Sequence, residues 1–179
     1  MSVELKPFDR SDFGRLIRWI PNAEAMMMWC GPFFTFPLDV KQLEEYYQSG
    51  LINPPLRKIF KAVDAKTHEV IGHIELNNID WRNLSATVSK VLIGEANWRG
   101  QGYGTQMVQQ LLRIAFDELR LHRVSLYVFD FNQPAIACYK KAGFEIEGYL
   151  RDYRKVGETY WSSYLMAILE SDWLTKNRK

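Results

Sequence analysis

Residues 99–105 form the segment of this chain with the clearest chemical meaning. Their sequence is Arg-Gly-Gln-Gly-Tyr-Gly-Thr, with glycines at alternate positions. Glycines let backbone N–H groups approach a bulky ligand at points where a Cβ atom would collide with it. The apolar run 91–94 precedes the segment and an amphipathic run follows it, which indicates a strand, a turn and a helix. Such a turn binds phosphate groups, because unpaired N–H groups and the helix dipole both point at the anion.

The glycine spacing alone is compatible with several phosphorylated cofactors. It differs from the phosphate loop of nucleotide-binding proteins, because no lysine follows Gly104. It superficially matches a dinucleotide-binding fingerprint, but that fingerprint follows the first strand of a parallel sheet. A run of three hairpin strands is predicted directly ahead of this turn, so a nicotinamide-dependent oxidoreductase stays a minor alternative.

The elements predicted around this turn describe a mixed sheet covered by helices. Strands are predicted over 3–8, 58–63, 70–79, 85–93, 124–129, 144–150 and 159–169. Four helices are predicted. The first follows strand 3–8 and ends near residue 20, and a short second helix begins after a cap at Asp39. The third covers 107–120, and the fourth begins at Asn132 and ends just before Gly143. The rest of 22–55 is predicted to be irregular and aromatic. Early hairpins and a central strand–helix–strand unit indicate an α/β fold with a mostly antiparallel sheet.

Composition limits the class of protein. A chain of 179 residues, 47% hydrophobic and 25% charged, suits one globular domain over 1–179. The net charge of +2 argues against a dedicated binder of nucleic acid or membrane surfaces. No apolar run approaches the ~20 residues that span a bilayer, and the first residues lack the layout of a signal peptide. With two cysteines and no disulfide framework expected, we predict a cytoplasmic protein.

A second motif follows the glycine turn by about thirty residues. It consists of Asn132, Pro134, Ile136, Tyr139 and Gly143-Phe144. Together the two segments resemble the Gcn5-related N-acetyltransferase (GNAT) superfamily. Residues 99–104 match its acetyl-coenzyme A motif, Arg/Gln-x-x-Gly-x-Gly/Ala, and the second motif matches its Asn…Ala…Tyr…Gly-Phe helix. Segments 70–74 and 148–151 look most like the branch of ribosomal-protein alanine and polyamine acetyltransferases.

The resemblance extends over nearly the whole chain and implies a role for each matching residue. Two central strands would splay apart, and acetyl-CoA would lie between them at Leu92, Ile93 and Gly94, with the Leu92 and Gly94 backbones pairing with its pantetheine arm. The pyrophosphate would bind the turn formed by Arg99, Gly100, Gln101, Gly102, Tyr103, Gly104 and Thr105. Asn132 would bond the coenzyme arm or fix its loop. Tyr139 would protonate the departing thiolate, because tyrosine keeps its proton at pH 7; a packed core aromatic is the alternative.

The general base is less clearly marked in the sequence. An amine must lose a proton as it attacks a thioester, so a carboxylate or an ordered water is expected. Glu75, inside the apolar strand 71–79, is the first candidate and Glu95 the second, with a solvent-facing strand residue as the alternative for each. His73 and His122 are interpreted as structural. The histidines lack the spacing of metal ligands, so no metal is expected.

The resemblance implies direct acetyl transfer from acetyl-CoA to a primary amine. A protein N-terminus, a polyamine and a small amine are all open as acceptors, and the resemblance implies a homodimer. Aromatic residues of 29–36, with Tyr46 and Tyr47, would line the acceptor pocket or pack as core. The alternative function is a CoA-binding sensor or interaction module without catalysis.

Overall fold

Seven strands form one sheet in the computed structural model, which describes residues 2–177. The strands are β1 Val3–Pro7, β2 Lys58–Asp64, β3 Val70–Asp80, β4 Ser85–Ile93, β5 Arg123–Phe129, β6 Glu145–Val156 and β7 Thr159–Leu169. Their order across the sheet is β1-β2-β3-β4-β5-β7-β6. Only the β4–β5 pair is parallel among these described strands. The predicted α/β fold with a mostly antiparallel sheet is confirmed.

The helices are α1 Phe13–Trp19, α2 Ala23–Cys30, α3 Val40–Ser49, α4 Tyr103–Arg113, α5 Gln133–Ala142 and α6 Glu170–Asn177. Helices α2, α3 and α5 begin at polar side chains that bind free backbone N–H groups. Asn22, Asp39 and Asn132 each accept a hydrogen bond from an N–H in the first turn, as helix caps do. The prediction that residues after Asn22 are irregular is wrong, because α2 starts there. Its Met-rich sequence has no regular apolar period to mark a helix.

Helix α4 packs its apolar face on the sheet. Its buried residues include Met107, Val108, Leu111 and Leu112, each 0% exposed, at steps of one, three and four. The α-helix ends at Arg113, and a π-helical turn, Ile114–Glu118, completes the segment that the period predicts as one helix. Because α4 begins at Tyr103, the positive end of its dipole lies at the glycine turn.

The two central strands separate soon after they meet. β4 and β5 pair only over Ser85–Thr87 and Arg123–Ser125. Beyond that point β4 has a bulge against β3, at Lys90, whose φ is 50°. A bulge bends its strand and increases the local twist, which carries β4 away from β5. The predicted pair of splayed central strands is confirmed.

Two hydrophobic cores support this split. One lies under α4 and α5, and the other packs α1, α2 and α3 on the sheet around Phe13, Trp29, Leu43 and Tyr46.

Within residues 2–177, no helix is long and apolar enough to cross a membrane.

Candidate active site

A cavity of about 1620 Å³ opens along the split between β4 and β5. Its walls come from α2, the second half of β4, the glycine turn, β5, α5 and β6. The predicted phosphate turn and Tyr139 therefore face the same space, although they are far apart in sequence. The site is built where the sheet is interrupted and its backbone groups lack a neighbouring strand.

The glycine turn is open toward a ligand. Gly100 and Gly102 have φ values of 74° and 87°, a region that side chains with a Cβ rarely adopt. Among the described residues, apart from the glycine itself and its two chain neighbours, no heavy atom lies within 4 Å of the position that a Cβ would take at either Gly100 or Gly102. Arg99, Gly104 and Thr105 also line the cavity, at the start of α4. The turn thus has the open backbone and helix dipole that an anion requires.

Two residues of the predicted turn have structural contacts instead. Tyr103 is 5% exposed, and its hydroxyl donates to Asp64 Oδ2 at 2.9 Å, which fixes α4 to β2. Gln101 donates through its side chain to the carbonyl of Asn97. Neither residue lines the cavity with its side chain, so any contact with a ligand would come from the backbone.

The backbone N–H and carbonyl of Gly94, which follows β4, are already bonded within the protein. Gly94 N–H donates to the carbonyl of Ile71 at 3.0 Å, and Gly94 carbonyl accepts from Arg99 Nη2 at 2.9 Å. Because alternate residues of a strand direct their polar groups to the same side, Leu92 also faces β3. The Gly94 N–H is therefore not free to pair with a pantetheine arm, and the expected pairing through Leu92 stays a prediction. By the same alternation, we expect the N–H groups of Val91 and Ile93 to face the split.

Tyr139 lies on α5 and reaches the cavity while 8% exposed. Its ring meets the edge of Phe144 at a centroid distance of 6.0 Å. Burial raises the pKa of the Tyr139 hydroxyl, since the anion would lose its solvation. Asn132 accepts from Ala135 N–H at 3.3 Å, so its side chain caps α5. The tyrosine is held as a protonated donor at the cavity wall.

Glu75 is enclosed within the sheet and does not line the cavity. It is 0% exposed, and its carboxylate accepts from Tyr46 at 2.7 Å, Ser89 at 2.5 Å and Lys90 at 2.6 Å. Burial alone would raise the pKa of this carboxyl, but the Lys90 charge and these hydrogen bonds hold it below its usual value. The structure thus gives Glu75 the contacts of a structural anion, and does not bring it to Tyr139.

The other candidate bases, Glu95, His73 and His122, do not line the cavity either. Glu95 is exposed and accepts from Trp19 Nε1 at 3.0 Å. His73 is buried next to Tyr46, and burial lowers its pKa to about 3, so it is neutral at pH 7. His122 is on the surface. Across the described part of the chain, no three His, Cys, Asp or Glu residues are grouped to hold a metal ion.

Lys90 is a cavity residue that the sequence analysis missed. Its ammonium lies 2.6 Å from Glu75 and 3.7 Å from the centroid of the Phe33 ring. Trp29 Nε1 donates to the Lys90 carbonyl at 2.9 Å, which joins α2 to the bulge. Burial lowers the pKa of this ammonium, and the Glu75 charge opposes that effect. A lysine within an apolar strand is the same signal that singled out Glu75.

Comparison with known proteins identifies the family. The model of the acetyltransferase (GNAT) domain matches residues 2–145. The chain belongs to the GNAT family. This confirms the resemblance and the predicted class of enzyme, an acetyl-CoA-dependent N-acetyltransferase, and it argues against an oxidoreductase.

Individual relatives agree with this assignment. The crystal structure of spermidine N-acetyltransferase from Vibrio cholerae, in complex with CoA and spermine, superposes with a TM-score of 0.82 at 27% identity, over 97% of this chain and 98% of that one. Two matches of 114 residues cover 64% of this GNAT chain. They are 32% identical to the uncharacterized N-acetyltransferase p20 of Bacillus licheniformis, over 63% of it, and 28% identical to the L-amino acid N-acetyltransferase AaaT of Escherichia coli (strain K12), over 68% of it.

Proposed function

We propose that this protein transfers the acetyl group of acetyl-CoA directly to a primary amine inside the cavity between β4 and β5. The observation that carries the proposal is that one cavity joins an open glycine turn, an unpaired strand edge and a buried tyrosine. Each of the three suits a different part of the donor: the pyrophosphate, the pantetheine amides and the thioester sulfur.

The donor end of the cavity has the charge that coenzyme A requires. Arg99 lies in the turn, and Lys140 and Lys141 line the cavity from the end of α5. Helix α5 meets the turn where Thr105 Oγ1 approaches Cys138 Sγ at 3.6 Å. Backbone amides of the turn would bind the pyrophosphate, and the N–H groups of Val91 and Ile93 would pair with the pantetheine arm as an added strand does.

Tyr139 would serve as the general acid. The amine nitrogen attacks the thioester carbonyl carbon, the C–S bond breaks, and the sulfur takes the proton of the Tyr139 hydroxyl. A proton released by the attacking nitrogen then restores the phenol through solvent. The position of Tyr139 on the cavity wall supports this role. Burial raises the pKa of the hydroxyl, so the proton is present at neutral pH but is held more tightly than in free tyrosine.

Water would take the first proton from the amine. No Asp, Glu or His lines the cavity among the residues that the structure describes. Glu75 already accepts from Tyr46, Ser89 and Lys90, and Glu95 accepts from Trp19 without lining the cavity itself. We therefore infer that the acceptor reacts as the neutral amine, and that its ammonium form loses its proton to solvent before attack.

The relatives nominate acceptors to assay first. The Vibrio cholerae neighbour is named for spermidine and the Escherichia coli relative for L-amino acids. The Vibrio cholerae enzyme is also known in a dodecameric form, 25% identical with a TM-score of 0.80. Self-association of this chain, predicted from the sequence as a homodimer, is therefore part of the proposal, and light scattering of the purified protein measures it.

Acetyl transfer to a panel of amines tests the proposed function. The panel includes spermidine, amino acids, peptides with free N-termini and simple alkylamines, and both CoA release and product mass are recorded. We expect stoichiometric release of CoA and a mass gain of one acetyl group on at least one amine. Binding of acetyl-CoA, seen as thermal stabilisation, without transfer to any amine would favour the CoA-binding module instead.

A further inference from the structure

The charged walls of the cavity are positive. Its ionised lining residues are Lys90, Arg99, Lys140, Lys141 and Arg154, and in the described part of the chain no carboxylate lines it with them. Three of these cations accompany the proposed phosphate site on the turn and α5. The other two lie toward the acceptor side, where α2 and β6 form the walls.

Lys90 is already bound to a carboxylate inside the protein. Its ammonium is 2.6 Å from Glu75, and both side chains are almost completely buried, at 3% and 0% exposure. Arg57 Nη1 also stands 3.8 Å from Glu75, but Arg57 does not line the cavity. Among the described residues, Arg154 is thus the lining cation on the side of α2 and β6 that has no ion pair.

Arg154 is held in place without being neutralised. Its guanidinium lies 4.1 Å from the centroid of the Tyr153 ring, and Nη2 donates to the Tyr153 hydroxyl at 3.1 Å. Tyr153 in turn stacks on Tyr127 of β5, with ring centroids 5.5 Å apart. None of the ion pairs found among residues 2–177 includes Arg154. Most of its five N–H donors are therefore available to a ligand.

Neighbouring acidic residues do not offset this charge inside the cavity. Glu24, Asp130 and Asp152 adjoin lining residues in sequence, but none of them lines the cavity. The Asp130 carboxylate accepts from the Tyr149 hydroxyl at 2.9 Å. An acceptor with several ammonium groups would meet positive walls here, whereas a carboxylate matches the planar fork of a guanidinium.

We propose that the acceptor is a small primary amine that also carries a carboxylate, and that Arg154 binds that carboxylate while the amine faces the thioester. The inference rests on the proposed function and narrows its acceptor to amino carboxylates. It assigns Arg154 as the residue that selects them over polyamines.

Three acceptors of equal chain length test the selection directly on the unmodified protein. They are 4-aminobutanoate, butylamine and 1,4-diaminobutane, which differ only in a terminal group that is negative, neutral or positive. We expect kcat/KM to fall in that order, with 4-aminobutanoate about 10- to 100-fold above butylamine, as for a hydrogen-bonded charge pair. Equal values, or a preference for the diamine, would overturn the inference.

Variants assign the preference to one side chain. Arg154→Gln should abolish the advantage of 4-aminobutanoate over butylamine in kcat/KM, and Arg154→Lys should restore part of it. Lys155→Gln, which removes an exposed charge beside it, is the matched control. If Arg154→Gln keeps the full preference, Arg154 is not the selecting residue.

The two proposals fail in different ways. If no amine is acetylated although acetyl-CoA stabilises the protein, the proposed function itself is wrong. If 1,4-diaminobutane or spermidine is the best acceptor, the acetyltransferase function stands and only the assignment of amino carboxylates fails.

Discussion

Lys90 Nζ lies 2.6 Å from Glu75 Oε1 in an ion pair that is closed to solvent. Tyr46 and Ser89 donate to the same carboxylate, and Arg57 Nη1 stands 3.8 Å from its other oxygen. The pair joins β3 to the bulge of β4 at the point where the cavity begins. Such a pair is costly to break, because the partner left behind keeps a buried charge.

Glu75→Gln should lower the free energy of unfolding by about 3–5 kcal/mol, since it leaves the Lys90 ammonium buried without its counter-ion. Urea denaturation measures this loss. Glu75→Gln combined with Lys90→Met should recover much of it. The control is Glu44→Gln, which breaks the exposed pair with Arg10 and should cost far less, because solvent screens that pair. A stable Glu75→Gln protein with little turnover would return Glu75 to the role of base.

The fold should become less stable as the pH falls from about 6.5 to about 3. His73 has its pKa lowered from 6.5 to about 3 by burial, so in this range the unfolded chain binds a proton that the folded chain does not. The pKa of Glu75 is also depressed, and its contribution is lost in the same direction at the acid end. We expect a loss on the order of 4 kcal/mol from His73. Denaturant titrations at several pH values measure it, and His73→Leu should show a shallower dependence.

Tyr139→Phe should reduce kcat by about 10- to 1000-fold, because the departing thiolate loses its proton donor. The affinity for acetyl-CoA should change little, as measured by calorimetry. Tyr160→Phe removes a hydroxyl from a tyrosine that is 55% exposed on β7 and serves as the control. Turnover near the original rate in Tyr139→Phe would mean that water or the acceptor supplies the proton.

Gly102→Val should weaken acetyl-CoA binding by at least about tenfold, since the new side chain projects toward the proposed pyrophosphate site. Gly157→Val is a matched control, because Gly157 also has a positive φ, of 59°, and open space at its Cβ position. Both variants should lose about 1–2 kcal/mol of stability through backbone strain. Equal affinities for acetyl-CoA in the two variants would remove the pyrophosphate from this turn.

The pH dependence of kcat/KM should follow the acceptor rather than the enzyme. If the amine reacts in its neutral form and water takes its proton, log kcat/KM should rise by about one unit per pH unit up to the pKa of the amine. Acceptors with lower amine pKa values should reach their plateau at correspondingly lower pH. A plateau at the same pH for every acceptor would indicate a titrating base on the protein.

The sheet was predictable because its strands alternate or run apolar between clear turns. The glycine turn and the α5 motif could also be predicted from the sequence, because each consists of particular residue types at fixed short spacing. Helix α2 was not, because Met26, Met27, Met28 and Trp29 show no helical period. Local pattern therefore predicted most elements and the two motifs, but missed one wall of the cavity.

The environment of Glu75 and Lys90 depends on distant parts of the chain. Tyr46 and Arg57, which surround the carboxylate, come from segments that carry no sequence signal for this contact. The Gly94 N–H likewise donates to the carbonyl of Ile71 in β3, a contact that no local pattern in the sequence predicts. The sequence shows that Glu75 and Lys90 carry charges, but only the fold shows that the two side chains form an ion pair.

The short contact between β4 and β5 makes the sheet two blocks joined at three pairs of residues. If the pantetheine arm occupies the split as proposed, the donor supplies the strand that the polypeptide omits. The Val91 and Ile93 amides would then exchange their hydrogens with solvent quickly in the free protein and slowly in the loaded one. The hydrogen-bonded sheet would then be continuous across β4 and β5 only while acetyl-CoA is bound.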